Sequence, residues 1–315
     1  MTHAGKLRSV YTGCMVGAAI GDALGKQNEG VSRKDILNKG YINDYGKAPE
    51  GCPGEKLSAG QYTDDTEQMI LLAQSLIECS GFDAFDFATK IAHWGAVAMA
   101  DPSRKELVGP SSSSAIAKLN SGISWKESGS SLPSCGSAMR AAPIGLFYRN
   151  LEEVEINAAL SSVPTHNSNG AIAGAVAVAV GVRCAIDGMA LPEIIKESSA
   201  RASKYDEGFG DKIVLSFKIR DEEPDEVFAR LGTSYLADET VPSAFYCFSR
   251  YFDEPEKAII EAVNAGGDTD SIACITGALC GARHGIGAFP ERWREGLENR
   301  EFIEHIAGML YEKSM

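Results

Sequence analysis

Glycine recurs at every fourth position of an apolar segment near the start of the chain, at Gly13, Gly17 and Gly21. Residues four apart share one face of an α-helix, so the spacing predicts a helix with a face free of side chains. Glycine in a helix interior costs about 1 kcal/mol relative to alanine. Three glycines on one face therefore favour direct backbone contact with another helix. Gly170 and Gly174 repeat the spacing later in the chain.

The remaining sequence alternates helix-like apolar stretches with loops rich in glycine, serine and proline, and strand-like alternation is scarce. No repeat or linker interrupts it, so we predict a single compact all-α domain over residues 1–315. Residues 204–223 are charged and are not assigned to an element. The predicted helices cover Leu7–Leu24, Thr66–Cys79, Phe85–Met99, Ser113–Asn120, Ser137–Tyr148, Leu151–Ser161, Asn169–Ile186, Pro192–Ser203, Pro224–Leu231, Ser243–Phe252, Pro255–Asn264, Ser271–Ile286 and Glu301–Lys313.

The net charge of −13 argues against nucleic acid as a partner, since an acidic protein repels phosphate backbones. An acidic protein that binds a phosphorylated small molecule needs metal ions or backbone N–H groups at helix ends. Two apolar segments, 10–24 and 170–182, are too short or too interrupted to span a membrane and predict buried helices. Eight cysteines without a CxxC pair predict reduced thiols in the cytoplasm. We expect no membrane partner and favour a monomer.

Two acidic motifs each precede an apolar run: Thr63-Asp64-Asp65-Thr66 and Gly266-Gly267-Asp268-Thr269-Asp270-Ser271. Either motif alone is typical of a helix cap, in which carboxylates accept from free N–H groups and complement the helix dipole. The two together also offer the oxygen ligands that hard divalent cations prefer. Four aspartates brought together without a cation would repel one another. If the two motifs meet in space, a metal site becomes the favoured interpretation.

Three further polar residues taken individually favour structural roles. Asp22 ends an otherwise apolar helix, where hydrogen bonding to nearby backbone explains it. Glu29 follows in a polar loop, where a solvated charge explains it. His166 precedes a buried helix, and a lone histidine there is more often structural than catalytic.

Two loops rich in glycine and serine are candidates for holding a phosphate. One contains Gly109 and Ser111, and the other contains Ser134, Gly136 and Ser137. Each precedes a predicted helix, where N–H and O–H groups can converge on an anion. Arg140 follows the second loop and is interpreted as a ligand contact or as half of a buried salt bridge.

Taken in order, these motifs resemble the ADP-ribosylglycohydrolase family over nearly the whole chain. The resemblance rests on the stretch Gly13–Glu29, the motif at 63–66, the segment Ser134–Pro143 with its Met-Arg pair, the Thr165-His166 pair and the segment Asn264–Gly285. Pro290 and Trp293 are similar to the tail of the family. Cys135 stands where family members often carry asparagine, and Ser271 where many carry threonine.

The resemblance implies an all-α fold of mostly orthogonally packed helices with two Mg²⁺ or Mn²⁺ ions. It implies cleavage of the bond that links ADP-ribose to an acceptor, which is either a protein side chain, with arginine our first choice, or a small molecule. The implied metal ligands are Thr63, Asp64, Asp65, Asp268, Asp270 and Ser271, and the implied catalytic residues are Glu29, Asp65 and Asp268. The implied substrate contacts are Glu29, Gly109, Ser111, Ser134, Gly136, Ser137, Met139 and His166.

Two alternatives remain open at this point. One is a hydrolase of another ribosyl or nucleotide conjugate, which the same metal site would serve. The other is a protein without activity, because the fold also occurs in lens crystallins. A crystallin-like role predicts eroded acidic motifs, whereas all four aspartates are present here. The motifs therefore favour an enzyme.

Overall fold

The computed structural model describes residues 3–315, and its first helix, α1 (His3–Gly25), runs antiparallel to a late helix, α15 (Thr269–His284). The glycine face of α1 is the contact surface. A Cβ atom at Gly17 would collide with the carbonyl oxygen of Gly277, and one at Gly21 with that of Ala273. The prediction of direct backbone contact is therefore confirmed for this face. The fit is less tight at Gly174, where a Cβ would lie 3.3 Å from its nearest neighbours.

Helix α9 (Asn169–Ile186) forms the centre of the core, and 83% of it is buried. By length and composition alone, this helix is apolar enough to cross a membrane. Its burial on nearly all sides explains the composition without a membrane, as the sequence predicts. Alanine and valine dominate it because the surrounding helices leave little room for larger side chains.

The described residues form seventeen α-helices and no β-strands, which confirms the all-α prediction. Besides α1, α9 and α15 they are α2 (Arg33–Lys39), α3 (Asp64–Cys79), α4 (Ala84–Ala100), α5 (Pro110–Asn120), α6 (Trp125–Ser128), α7 (Ala142–Phe147), α8 (Leu151–Ser162), α10 (Leu191–Ala202), α11 (Glu207–Lys218), α12 (Pro224–Leu231), α13 (Ala237–Arg250), α14 (Pro255–Val263), α16 (Glu291–Gly296) and α17 (Arg300–Ser314).

The structure contains α2, α6 and α16, which were not predicted, and it differs from the predicted elements in three further regions. The predicted helix 137–148 is broken into a 3₁₀ turn, Cys135–Ser137, and α7, so the intervening residues are free to face a cavity. The unassigned charged region contains α11, whose apolar positions are spread among charges. Helix α13 begins before Pro242, which lies inside the helix rather than at its start. Pro242 is in the second turn of α13 and lacks the N–H that would bond to the carbonyl group four residues earlier, so the helix forgoes one hydrogen bond there.

Candidate active site

The first acidic motif is held in place by a carboxylate from α1. Asp22 is fully buried and accepts hydrogen bonds from the backbone N–H groups of Thr63 and Thr66, both at 3.0 Å. It also accepts the Thr66 hydroxyl at 2.6 Å. The prediction that Asp22 bonds to nearby backbone is wrong, because the N–H groups that it accepts from are 41 and 44 residues away in sequence. Asp22 caps the N-terminus of α3 and thereby fixes where Asp64 and Asp65 lie.

The second acidic motif is held by Gly25, the last residue of the same helix. A Cβ atom at Gly25 would lie 2.5 Å from the Cα of Asp270, so α15 begins against the end of α1. The Thr269 hydroxyl donates to Gly25 O at 2.8 Å. Gly266 and Gly267 have φ angles of +83° and +72°, which side chains rarely adopt. Helix α1 therefore brings together two motifs that are some two hundred residues apart.

The loop that carries Glu29 is joined to the second motif by backbone hydrogen bonds. Gly30 N–H donates to Gly267 O at 2.8 Å, and Gly267 N–H donates to Val31 O at 3.0 Å. The half-buried Glu29 side chain consequently shares a cavity with both motifs. Considered alone in the sequence, Glu29 was interpreted as a solvated loop charge. The structure shows instead that it is half-buried in the cavity lining.

A cavity of about 400 Å³ contains most of the residues that the sequence proposed as a site. Of these residues, the cavity is lined by Glu29, Asp64, Asp65, Gly109, Ser111, Ser134, Gly136, Met139, His166, Asp268, Asp270 and Ser271. Two proposed residues do not line it. Thr63 instead caps α3, accepting from Asp65 N–H at 3.3 Å. Ser137 donates to Ala171 O and accepts the Ser162 hydroxyl, which places it in the core behind the cavity.

One wall of the cavity is strongly acidic. Burial raises the pKa values of Asp64, Asp65 and Asp270 well above their usual range, and the neighbouring carboxylates raise them further. For Glu29, burial and the charges of Asp268 and Asp22 raise the pKa to about 8. No lysine or arginine lines the cavity in the described part of the chain. The wall is therefore a group of carboxylates without a neutralising cation.

The chemistry of these residues fits divalent metal ions. Asp65 Oδ2 is buried and has no hydrogen-bond partner among residues 3–315, a costly state for a carboxylate oxygen. The carboxylate and hydroxyl groups of this wall offer hard oxygen atoms, the type of ligand atom that Mg²⁺ and Mn²⁺ bind, and the Cys135 thiol is a soft sulfur atom beside them. No group of three or more His, Cys, Asp or Glu side chains in the described residues forms a ready-made metal cage. The ligand atom types of this wall therefore fit a divalent metal ion.

A second part of the lining, called the neutral wall here, is rich in hydrogen-bond donors and contains Gly109, Ser111, Ser134, Gly136 and His166. Helix α5 begins at the cavity, with Gly109 as its N-cap, so its free N–H groups are available there. The Ser111 and Ser134 hydroxyls lie 2.9 Å apart, which joins the two Gly/Ser loops that the sequence singled out separately. Free N–H groups, hydroxyls and a positive helix end are suited to an anion such as a diphosphate.

His166 closes the neutral wall, where its buried ring lies against Gly136. A Cβ at Gly136 would lie 2.7 Å from His166 Cε1 and Nε2, so only glycine leaves room for the ring. Burial, with a contribution from the charge of Arg140, lowers the His166 pKa to about 3. The imidazole is therefore neutral at physiological pH.

Seven residues of the cavity lining were not identified as site residues from the sequence: Glu106, Leu107, Pro110, Ser112, Leu132, Cys135 and Tyr235. Cys135 donates from Sγ to Asp268 Oδ2 at 3.0 Å, and burial together with Asp268 raises the pKa of this thiol well above its usual range. Tyr235 is 56% exposed at the rim, within a region where the sequence carried no motif. Glu106 adds a carboxylate at the mouth. Of these residues, only Cys135 was noticeable in the sequence, because it stands where members of the resembling family often carry asparagine.

Comparison with solved structures identifies the class of the fold. A structure described as an ADP-ribosylglycohydrolase-related protein complex superposes with a TM-score of 0.82, at 26% sequence identity, and covers 99% of this chain and 100% of its own. The sequence model of the ADP-ribosylglycohydrolase family matches residues 4–315. The chain therefore belongs to the ADP-ribosylglycohydrolase family, and this membership supports the hydrolysis of ADP-ribose conjugates in general.

Individual relatives match over nearly their whole length. An uncharacterized protein from Archaeoglobus fulgidus is 42% identical over 97% of this chain and 97% of its own. The human ADP-ribosylhydrolase ARH3 is 29% identical over 96% of this chain and 93% of its own. The uncharacterized protein YegU from Escherichia coli is 28% identical over 91% of both chains.

Proposed function

We propose that this protein hydrolyses the glycosidic bond between ADP-ribose and an acceptor, and so reverses ADP-ribosylation in the cytoplasm. The observation that carries the proposal is the division of one cavity into an acidic wall and a neutral donor wall. The donor wall suits the diphosphate of ADP-ribose, which the acidic wall by itself would repel. The acidic wall suits divalent cations that orient ribose hydroxyls.

The acidic wall would hold two Mg²⁺ or Mn²⁺ ions through Thr63, Asp64, Asp65, Asp268, Asp270 and Ser271. Such ions, when bound, polarise oxygen atoms and make a bound water more nucleophilic at neutral pH. The unpartnered Asp65 Oδ2 supports this assignment, because a buried carboxylate oxygen without a donor is costly. Thr63 would take part through its hydroxyl, although it does not line the cavity.

The protein's own residues supply positioning and proton transfer. The donors of α5, Ser111 and Ser134 would hold the diphosphate and thereby place the anomeric carbon at the acidic wall. Glu29 shares the cavity with both acidic motifs and would exchange a proton there, either with the attacking water or with the leaving group. Asp65 and Asp268 would orient the reacting groups beside it.

We propose arginine as the acceptor side chain. The cavity is lined by six carboxyl residues and by no lysine or arginine in the described residues; the acids are Glu29, Asp64, Asp65, Glu106, Asp268 and Asp270. Glu106 is at the mouth with its side chain 54% exposed, and it forms an ion pair there with the exposed Lys56 at 3.2 Å, so a cationic acceptor would compete with Lys56 for this carboxylate. A cationic guanidinium group is the acceptor that such a mouth attracts most strongly.

A panel of substrates tests the proposal. ADP-ribosyl-arginine, ADP-ribosyl-serine and small ADP-ribosyl acceptors would be incubated with the protein in Mg²⁺ and, separately, in EDTA. We expect release of free ADP-ribose, fastest from arginine, and abolition by EDTA. Cleavage of no panel member would contradict the activity and would favour another ribosyl conjugate or a protein without activity. Cleavage undiminished by EDTA would contradict the metal assignment alone.

A further inference from the structure

Arg140 is fully buried behind the cavity, yet its guanidinium forms hydrogen bonds only with neutral groups in the described part of the chain. It donates to Gln68 Oε1 at 2.5 Å, to Thr165 Oγ1 at 2.6 Å and to Ser161 O at 3.2 Å. The salt bridge that the sequence suggested for Arg140 is not among these contacts, and Arg140 does not line the cavity. A buried cation held by neutral acceptors requires another explanation.

The first branch of these hydrogen bonds leads to the acidic wall. Arginine has donors only, so the atom of Gln68 that faces Arg140 is its carbonyl oxygen. The amide nitrogen of Gln68 is then turned toward Asp64, and Nε2 donates to Asp64 Oδ2 at 2.7 Å. The orientation of Arg140 thus determines that Gln68 presents a donor to one of the proposed metal ligands.

The second branch leads to the neutral wall. Thr165 Oγ1 accepts from Arg140, and it lies 2.8 Å from His166 Nδ1. Among the described residues the Thr165 hydroxyl contacts only Arg140, which has donors alone, and His166. Its single proton is therefore satisfied only if it is directed to His166 Nδ1, which then acts as the acceptor. A neutral imidazole that accepts at Nδ1 carries its proton at Nε2.

The Nε2 atom of His166 is the end of this chain of hydrogen bonds. Within residues 3–315 it has no protein hydrogen-bond partner, and the residue lines the cavity beside Gly136. An Nε2–H group there adds a donor to a cavity lining that also contains Ser134 and the start of α5. An Nε2 without a proton would instead present a lone pair, which repels phosphate oxygens.

We propose that Arg140 is a positioning residue that fixes the hydrogen-bond polarity of both cavity walls. Through Gln68 it makes the contact to Asp64 a donated hydrogen bond. Through Thr165 it fixes His166 as the Nε2–H tautomer, ready to donate to an oxygen of the ligand. The identity of that ligand as ADP-ribose rests on the proposed function, whereas the polarity assignment follows from the contacts alone.

The experiment uses Thr165, because removal of the fully buried Arg140 endangers folding. Thr165→Val removes the hydroxyl and keeps the shape, and Thr165→Ser is the matched control that keeps the hydroxyl. Nitrogen NMR of the histidine-¹⁵N-labelled full chain reports the tautomer, and the His166 signal is identified by its loss in His166→Gln. We expect the Nε2–H tautomer in the wild type and in Thr165→Ser, and a mixture with Nδ1–H in Thr165→Val.

Calorimetric titration with free ADP-ribose measures the consequence. Loss of one oriented hydrogen bond should weaken ADP-ribose binding about tenfold in Thr165→Val and less than about twofold in Thr165→Ser. An Nδ1–H tautomer in the wild type, or a Thr165→Val tautomer and affinity equal to wild type, would overturn the inference. The expected tautomers in a protein that binds no ADP-ribose would support the polarity assignment and overturn the proposed function instead.

The Gln68 branch has its own test. Gln68→Met keeps the approximate volume and removes the donor to Asp64, and Gln74→Met on the same helix is the control. We expect the affinity for Mn²⁺, followed by electron paramagnetic resonance, to fall about tenfold in Gln68→Met and to stay unchanged in Gln74→Met. Equal Mn²⁺ affinities in the two variants would contradict the positioning role at this wall.

Discussion

Asp22 of α1 and Asp65 of α3 are both buried aspartates close to the start of α3, and they differ in their hydrogen-bond partners. Asp22 accepts hydrogen bonds from the backbone and side chain of Thr66 and from the backbone of Thr63. Asp65 has one carboxylate oxygen, Oδ2, without any partner among the described residues. The same residue type thus serves as a satisfied structural cap in one position and as an unsatisfied group facing a cavity in the other.

The difference shows how a structural acid is distinguished from a functional one. Burial raises the pKa of both carboxyl groups, but for Asp22 hydrogen bonds from Thr66 and Thr63 act in the opposite direction. For Asp65 the charges of Asp22, Asp64 and Asp268 add to burial, and a hydrogen bond from Ser271 opposes them. Unfavourable arrangements of this kind are concentrated at functional sites, so the state of Asp65 supports the proposed metal site.

The largest expected effect is on catalysis by Asp65→Asn. Loss of a charged oxygen at the reacting centre should lower kcat/KM by roughly 10³-fold, about 4 kcal/mol in the transition state. Steady-state cleavage of the best panel substrate in Mg²⁺ measures it. An activity within about tenfold of wild type would remove Asp65 from the catalytic group and weaken the comparison with Asp22.

The same replacement at Asp22 should act on stability. An asparagine there turns one acceptor into a donor that faces the N–H groups of Thr63 and Thr66, so Asp22→Asn should cost about 3 kcal/mol of unfolding free energy. Urea titration measures this loss, which should be similar with and without Mg²⁺. A loss seen only in the presence of Mg²⁺ would indicate that Asp22 belongs with the metal ligands instead.

His166 extends the comparison to a buried base. Its pKa is about 3 in the folded protein and about 6.5 when unfolded, so the unfolded chain binds the extra proton between these values. Folding stability from this group is therefore full above pH 6.5 and declines as the pH falls, by roughly 2 kcal/mol at pH 5.

Urea titrations at pH 7 and pH 5, in EDTA, measure this decline as the difference between wild type and His166→Gln. The variant should lose less stability on acidification than the wild type does. The exposed His93→Gln is the control, and we expect it to follow the wild type. Parallel losses in the wild type and in His166→Gln would contradict a neutral buried imidazole.

The smallest expected effect is the stability of Asp65→Asn without metal. Replacement of a buried, repelled carboxylate by a neutral amide should stabilise the protein in EDTA by about 1 kcal/mol, opposite in sign to Asp22→Asn. In Mg²⁺ the wild type should instead be more stable than Asp65→Asn, because the ion binds only the folded state of the wild type. Thermal unfolding in EDTA and in Mg²⁺ would measure the stability change in each solution. If Asp65→Asn were less stable than the wild type in EDTA, the result would contradict an Asp65 Oδ2 atom without a partner.

Much of this organisation is predictable from sequence because it depends on local periodicity and local chemistry. The spacing of Gly13, Gly17 and Gly21 predicted the contact face of α1, and apolar periodicity predicted α9 with its observed limits. Helix α11 was missed because its apolar positions are spread among charges, so its pattern is weak. Tyr235 was missed because the approach of its loop to the cavity leaves no local trace.

The sequence by itself determined the helical class, the acidic character and the two motifs, since residue type and spacing along the chain decide these properties. Only the tertiary structure decided that the motifs meet, because their meeting depends on Asp22 reaching α3 and on α15 beginning against Gly25. It also decided that Asp22 is satisfied and Asp65 is not, and that Arg140 joins the two walls. Hydrogen-bond partners distant in sequence are a property of the packed chain, and no local pattern records them.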